Sequence, residues 1–279
     1  MKPGRASRTA EMVCMGRAVA HGRLGFSDPT ALALLPADAR ARVERFRAGV
    51  EPRGFRQRAG HAYLARLSLI MATRTIAIDE GIVAAGAPQL VILGAGLDGR
   101  AWRMQGLRDV TIFEVDHPVS QADKRERVAA LTPVSRDIRF VPVDFTRDDL
   151  DAALTGAGHD PARPTTWLWE GVVMYLTAAE VSATLSIVSG RSAAGSQLMV
   201  LYHAPALMLH IVGPVVRRVG EPLRSTFTAE AMRALLAAHR FSVMRDHSVR
   251  ELGRSLPPPI PKATRFASHL RLVIAVRDD

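Results

Sequence analysis

The segment QLVILGAGLDGRAWR, Gln89 to Arg103, decides the fold. Leu90–Leu93 is an uninterrupted apolar run of the length of a buried strand. It meets a glycine turn, Gly94-Ala95-Gly96, and then Asp98, Gly99 and Arg100, before Ala101-Trp102-Arg103-Met104 turns helical. A buried parallel strand, a tight turn and a helix start form the usual seat of a nucleotide-like ligand. Roughly twenty residues on, past a second short strand, Glu114-Val115-Asp116 places an acid where a ribose hydroxyl pair would be held. Gly94-x-Gly96-x-x-Gly99 also satisfies the dinucleotide fingerprint, so other residues must decide the ligand.

Downstream, strands and helices alternate. The pattern predicts strands at Leu90–Leu93, Val110–Val115, Ile138–Pro142, Thr166–Glu170 and Gln197–Tyr202. Helices are expected near Ala101–Gly106, Val119–Leu131, Asp148–Leu154 and Ala178–Ser189, the last opened by a capping box at Thr177 and Glu180. Alternation at this spacing predicts a parallel sheet with helices on both faces. After Tyr202 the pattern breaks into an apolar stretch punctuated by glycine and proline. A helix capped by Thr228, a strand Phe241–Asp246, a proline-rich loop Ser255–Pro261 and a final strand His269–Val276 follow, and the last two strands should run antiparallel.

Upstream, residues 1–88 read as a helical cap: Thr9–His21, Thr30–Leu35, Ala39–Ala48 and a long amphipathic helix, Ala59–Val83. The rest, 89–279, reads as the α/β core, with a lid insertion at about 204–222.

At 279 residues the chain can bury a full core, and 48% hydrophobic with 23% charged residues describes a soluble globule. The net charge of +10 raises the question of nucleic acid. Only Lys2, Lys124 and Lys262 are lysines, the arginines are scattered, and aromatics are 5%. That describes a basic solvated surface, one that could favour acidic substrates, and no nucleic-acid partner is expected. Cys14 stands alone, so neither an internal disulfide nor a thiolate metal site is possible, and no metal is expected. Glu11, Gly16 and Arg17 interrupt the apolar run that a signal peptide needs, which predicts a cytoplasmic location. Ser192–Val216 has no charged residue, but its glycines, prolines and histidines argue for a strand and an apolar lid, and no membrane partner is expected.

Which ligand the turn holds can be argued from charge. A dinucleotide sets its pyrophosphate over the turn, where the Asp98 carboxylate would repel it. S-adenosylmethionine (SAM) has no phosphate, and its methionine end carries an ammonium and a sulfonium, so an acid there is harmless or helpful. Helix capping accounts for Asp98 equally well. Asp144-Phe145 ends the third strand with an acid and an aromatic suited to adenine, and Glu170-Gly171 ends the fourth. Three acids, Asp116, Asp144 and Glu170, thus fall at consecutive strand ends.

These residues together resemble the leucine carboxyl methyltransferase superfamily, and most closely its bacterial, actinobacterial-type branch of SAM-dependent O-methyltransferases. The matching pieces are Ser7-Arg8-Thr9-Ala10, Asp28-Pro29, Arg74-Thr75 with Asp79, VILGAGLDGRAWRM (91–104), FEVDHP (113–118) with Lys124-Arg125, VPVDF (141–145) and WEGVVMYL (169–176). The resemblance implies an α/β class I methyltransferase fold: a Rossmann-like, mostly parallel seven-stranded sheet with an N-terminal helical cap. It implies SAM as cofactor. The branch is often associated with polyketide pathways of secondary metabolism, but the substrate does not carry over with the resemblance; the expected acceptor is a hydroxyl or carboxyl of a small molecule, such as a polyketide-type metabolite. Carried over by position, Arg74 would clamp the methionine carboxylate. Gly94 would line the methionine end, Asp116 would hold the ribose, Asp144 and Phe145 the adenine, and Glu170 the amino-acid end; Gly96 and Asp98 join the cofactor-binding candidates from their place in the turn. Arg17 falls near a cationic position of the family. Gly99 departs from relatives, which often carry threonine or alanine there, and implies a more flexible loop.

Methyl transfer is an in-line displacement that needs alignment, and an acceptor hydroxyl also benefits from a base. Tyr202 and His203, at a strand end, are the base candidates, and Tyr175 faces either the pocket or the core. A largely apolar acceptor would suit the apolar lid. Rival readings are a protein carboxyl methyltransferase, an RNA-binding protein or RNA methyltransferase suggested by charge, and an NAD(P)-dependent oxidoreductase. The last lacks a Tyr-x-x-x-Lys pair.

Overall fold

The computed structural model describes residues 8–145, 147–206 and 223–279. Its centre is a seven-stranded sheet. The strands are β1 (Gln89–Leu93), β2 (Thr111–Asp116), β3 (Asp137–Pro142), β4 (Thr165–Trp169), β5 (Gln197–His203), β6 (Phe241–Ser248) and β7 (Leu270–Arg277). Their order across the sheet is β3-β2-β1-β4-β5-β7-β6. β1 to β5 are mutually parallel, and β7 inserts antiparallel between β5 and β6. This is the class I methyltransferase arrangement, mostly parallel with an antiparallel pair at one end. The order reverses between β1 and β4, and an open parallel sheet binds ligands at the carboxyl ends of the strands beside such a reversal.

Strand periodicity divides the core in two. Leu90 and Ile92 of β1, Ile112 of β2, Leu168 of β4, and Met199 and Leu201 of β5 join one apolar cluster with the N-terminal helices. Val91, Leu93, Phe113, Val115, Trp167, Trp169, Leu198, Val200 and Tyr202 point the other way, into a cluster with the later helices. A fully buried leucine or valine contributes roughly 1.5–3 kcal/mol, so two full faces fix the register of every strand.

The first face is covered by α1 (Arg8–Ala20), α2 (Ala31–Leu34), α3 (Ala37–Arg47) and the 32-residue α4 (Gly54–Ala85). α4 ends at Ala85, two residues past the expected Val83, with Gly86 in the left-handed conformation (φ +58°) as its C-cap. It starts five residues earlier than the periodicity predicts, at Gly54, because Gln57 reaches back to accept a hydrogen bond from the Arg53 amide (2.8 Å). Gly81 brings α4 against β5, since a β-carbon there would lie 2.9 Å from the Met199 methyl.

α5 (Arg100–Arg103) follows the glycine turn as a single turn, and Gln105–Leu107 is 3-10 where one longer helix was expected. α6 (Pro118–Val128) lies against the first face, and α7 (Leu150–Gly156), α8 (Ala178–Gly190) and α9 (Ala229–Ala238) cover the other. The capping box of α8 forms as read, with the Thr177 hydroxyl accepting from the Glu180 amide and the Glu180 carboxylate accepting from the Thr177 amide. A second box, Ser248 with Glu251, starts α10 (Val249–Arg254), and α11 (Ile260–Thr264) occupies part of the stretch read as loop. The charge-free segment 192–216 contains β5, and among the described residues no helix is long and apolar enough to cross a membrane. Of the lid expected at about 204–222, only Ala204–Ala206 are described, and residues 207–222 lie outside the described residues.

Candidate cofactor site

The carboxyl ends of β1, β2, β4 and β5 deliver Gly94, Asp116, Glu170 and His203 to one edge of the sheet. Parity adds a second constraint. Asp116 follows Ile112 by four residues, Glu170 follows Leu168 by two, and His203 follows Leu201 by two. All three therefore sit on the face that α1 and α4 cover.

The turn is a cradle that side chains would fill. Gly94 (φ +73°) and Gly96 (φ +48°) have left-handed backbones that other residues rarely adopt. A β-carbon on Gly94 would lie 2.1 Å from Val172 Cγ2, and one on Gly96 would lie 3.3 Å from the methyl of Ala10. Asp116 locks the turn to β2: its Oδ2 accepts from the Gly96 amide, and its Oδ1 accepts from the His117 amide at 2.6 Å. Burial raises the Asp116 carboxyl above its ordinary value, against those two amide bonds. Each oxygen spends one lone pair on the backbone and keeps one, so the carboxylate can still accept from a pair of hydroxyls. His117 caps α6, with Nδ1 accepting from the Val119 amide, and its Nε2 lies 3.9 Å from Asp144 Oδ2. Phe145, beside Asp144, packs half-buried on the second cluster.

Above the cradle runs a buried chain of ion pairs. Arg17 of α1 meets Asp28 at 3.0 Å, and Asp28 also meets Arg103 at 3.6 Å. Arg103 meets Asp79 of α4 at 2.7 Å, and Asp79 meets Arg100 at 2.7 Å. Arg100 pairs with Asp98 and, at 3.2 Å, with Glu170, which pairs in turn with Arg74 of α4 at 2.7 Å. Four arginines and four acids thus cancel while joining the cap to the turn and to β4. Burial alone would raise Glu170, but Arg74 and then Arg100 outweigh it and hold the carboxyl below its ordinary value. Burial also lowers the Arg74 guanidinium, against the pull of Glu170. Arg74 Nε is buried and has no hydrogen-bond partner among the described residues.

Of the residues predicted for the cofactor, Arg74, Gly94, Gly96, Asp98, Asp116 and Glu170 lie together; Asp144 approaches through His117, and Phe145 packs on the second cluster. The Asp98 carboxylate is folded back on Arg100: Oδ1 accepts from the Arg100 amide at 2.8 Å, and Oδ2 pairs with its guanidinium. Asp98 therefore caps α5 with its charge already neutralised, and electrostatic exclusion of phosphates by a free acid no longer applies. Gly99 is also reinterpreted. Its φ of −112° suits any residue, but a β-carbon would lie 2.0 Å from Thr30 Oγ1. Close packing of the cap favours glycine there, and this replaces the expected loop flexibility. The pairing of Asp28 with Arg103 and of Asp79 with Arg100 has no signal in the sequence spacing.

The base candidates separate. Tyr202 points into the second cluster, donating to Asp246 Oδ2 at 2.7 Å and accepting from Arg271 Nε at 3.1 Å. Its hydroxyl ties β5 to β6 and β7 rather than facing the cofactor edge, and burial followed by Asp246 raises it further above its ordinary value. Tyr175 donates to Thr9 Oγ1 at 3.0 Å and ties the 3-10 turn Val173–Tyr175 to α1. His203 stays at the edge. Its Nδ1 is buried without a hydrogen-bond partner among the described residues, and its ring lies 5.7 Å from that of His269. Burial, then His269, then Arg74 press its pKa down to about 4, so the imidazole is neutral at physiological pH.

With this geometry in place, comparison gives the lineage. The sequence model of the leucine carboxyl methyltransferases matches residues 10–189. The chain belongs to this family. It is 38% identical over 177 residues to a putative S-adenosyl-L-methionine-dependent methyltransferase of Frankia alni, covering 62% of this chain and 59% of that protein. The match thus spans less than two thirds of that relative's length. Two crystal structures share the fold over nearly the whole chain. A DUF574 family protein from Streptomyces avermitilis has a TM-score of 0.62 at 12% identity, covering 98% of each chain. A putative methyltransferase from Thermobifida fusca has a TM-score of 0.60 at 14% identity, covering 100% of this chain and 97% of its own. The family match includes every predicted cofactor residue and stops in α8, before His203.

Proposed function

We propose that this family member is a SAM-dependent O-methyltransferase acting on a hydroxyl or carboxyl of a small, largely apolar molecule. The observation that carries the proposal is the convergence of Asp116, Glu170 and Arg74 on one edge and one face of the sheet, around a turn whose backbone at Gly94 and Gly96 favours glycine. Asp116 retains lone pairs for a ribose diol. Glu170 and Arg74 offer opposite charges for the ammonium and carboxylate of an amino acid, and the unpartnered Arg74 Nε remains to donate. Asp144 and Phe145 follow on the neighbouring strand end, suited to adenine. SAM supplies an electrophilic methyl group on a sulfonium.

The chain's own part is to orient the two reactants and exclude water. The neutral His203 imidazole can accept a hydrogen bond from an acceptor hydroxyl and orient it, but its lowered pKa makes it a weak base, and a carboxylate acceptor needs none. Cytoplasmic residence, a role in secondary metabolism and the cap-and-core division at residue 88 belong to the same proposal.

The test is incubation of the protein with methyl-labelled SAM and a panel of phenols and carboxylic acids. Label extractable into organic solvent supports a small acceptor, and its release by mild alkali identifies a methyl ester. Label confined to the protein fraction would favour the protein carboxyl methyltransferase reading instead.

A further inference from the structure

The start of α4 projects from the cap. Every residue from Arg53 to Gly60 is exposed, and Phe55 is 86% exposed. Between Arg45 and Gly60 the sequence has five arginines and one acid, Glu51. Arg45, Arg53, Arg56 and Arg58 are exposed, and among the described residues none has a carboxylate within ion-pair distance. α4 has no acid in its first turn to offset them. The end of α3 is held beside this helix by the Phe46 ring, stacked on His61 at 4.2 Å. There Val50, 53% exposed, is fixed by its amide bond to the Arg45 carbonyl (3.1 Å). Val50 and Phe55 are thus exposed on a stretch where the guanidinium groups of Arg45, Arg53, Arg56 and Arg58 have no ion-pair partner among the described residues.

We infer that this end of the cap docks on an anionic lipid surface, with Phe55 and Val50 entering the apolar boundary and the arginines facing lipid phosphates. A basic ring around an apolar tip is the pattern of peripheral attachment, in which each half is weak and the two add. A second copy of the chain is a poor occupant, because two such faces repel each other. Base recognition is poorly served too, since Gln57, the one amide side chain between Arg45 and Gly60, is spent on the Arg53 amide. The expectation of no membrane partner came from the lack of a spanning segment, which peripheral contact does not need. The inference stands on this surface alone and is independent of the proposed reaction.

The test is co-sedimentation of the full chain with vesicles of phosphatidylglycerol mixed with phosphatidylcholine, and with vesicles of phosphatidylcholine alone. Binding is expected to the anionic vesicles only, and to vanish at about 1 M salt, where charge is screened within a few ångströms. The exposed triple variant R53S/R56S/R58S should bind roughly a hundredfold more weakly, about fivefold per arginine, and Phe55→Ser several-fold more weakly. Unchanged melting curves should show that both variants fold. Failure of the wild type to sediment with anionic vesicles, or equal binding by the variants, would overturn the inference. So would tighter binding to bulk RNA at the same ionic strength.

Discussion

Thr30 Oγ1 occupies the space that a side chain on Gly99 would need. The hydroxyl lies 2.0 Å from the position of a β-carbon there, and it is held in place by donating to Asp28 Oδ1 at 2.7 Å. Asp28 is itself fixed by Arg17 and Arg103. The cap therefore seats on the glycine turn through close packing at Gly96 and Gly99, a buried ion cluster and the hydrogen bond that Arg17 donates to the Leu97 carbonyl.

This contact makes Gly99→Ala destabilising although the backbone would accept alanine. Overpacking of this kind costs roughly 1–3 kcal/mol. Thr30→Ala alone should cost about 1 kcal/mol through its lost hydrogen bond. The double variant should be less destabilised than the sum of the two, because removing the hydroxyl opens the space. A double-mutant cycle by urea denaturation measures the coupling, and strict additivity would place the clash elsewhere.

Arg100 is the hub of the ion-pair chain, with its side chain 1% exposed among Asp79, Asp98 and Glu170. Arg100→Met would leave three acids to share Arg74 and Arg103. Breaking a buried pair from one side costs roughly 3–5 kcal/mol, so this variant should be close to unfolding. Chemical denaturation gives the value, and a loss under 1 kcal/mol would mean that water reaches the cluster.

Glu114 and Lys124 form a separate buried pair, 2.6 Å apart, with the Lys124 ammonium 5.3 Å from the centre of the Trp102 ring. Burial outweighs Lys124 and raises the Glu114 carboxyl from 4.5 to about 7. A carboxyl whose pKa rises on folding binds its proton more tightly in the native state. Its contribution is full below the unfolded pKa and is lost as pH rises through the folded one. The melting temperature should therefore fall as pH climbs from about 4.5 towards and through about 7, and Glu114→Gln should flatten that slope. Identical slopes for variant and wild type would show that Glu114 is ionised across the range.

Much of this was legible in the sequence for physical reasons. Leu90–Leu93 and Thr166–Trp169 are buried on both faces, so their apolar character is continuous and their strand assignment holds. The glycine turn was readable because the left-handed backbone at Gly94 and Gly96 is one that other residues rarely adopt. The partners of the charges were not readable. Asp98 looked like a statement about the ligand until Arg100, two residues away, proved to neutralise it. Tyr202 and His203 are adjacent in sequence, yet strand alternation sends them to opposite faces, and only the packing shows which face carries the site. The Ser248–Glu251 capping box is a further signal in the sequence, Ser followed three residues later by Glu, that marks the start of α10.

The central claim is that the turn and its strand-end residues hold SAM, and calorimetric titration tests it most directly. The wild-type protein should bind SAM and S-adenosylhomocysteine and should not bind NADH. Asp116→Ala should weaken SAM by roughly 1.5–3 kcal/mol, the worth of hydrogen bonds to a charged acceptor. Tight NADH binding with no heat from SAM, or unchanged SAM affinity in Asp116→Ala, would contradict the account.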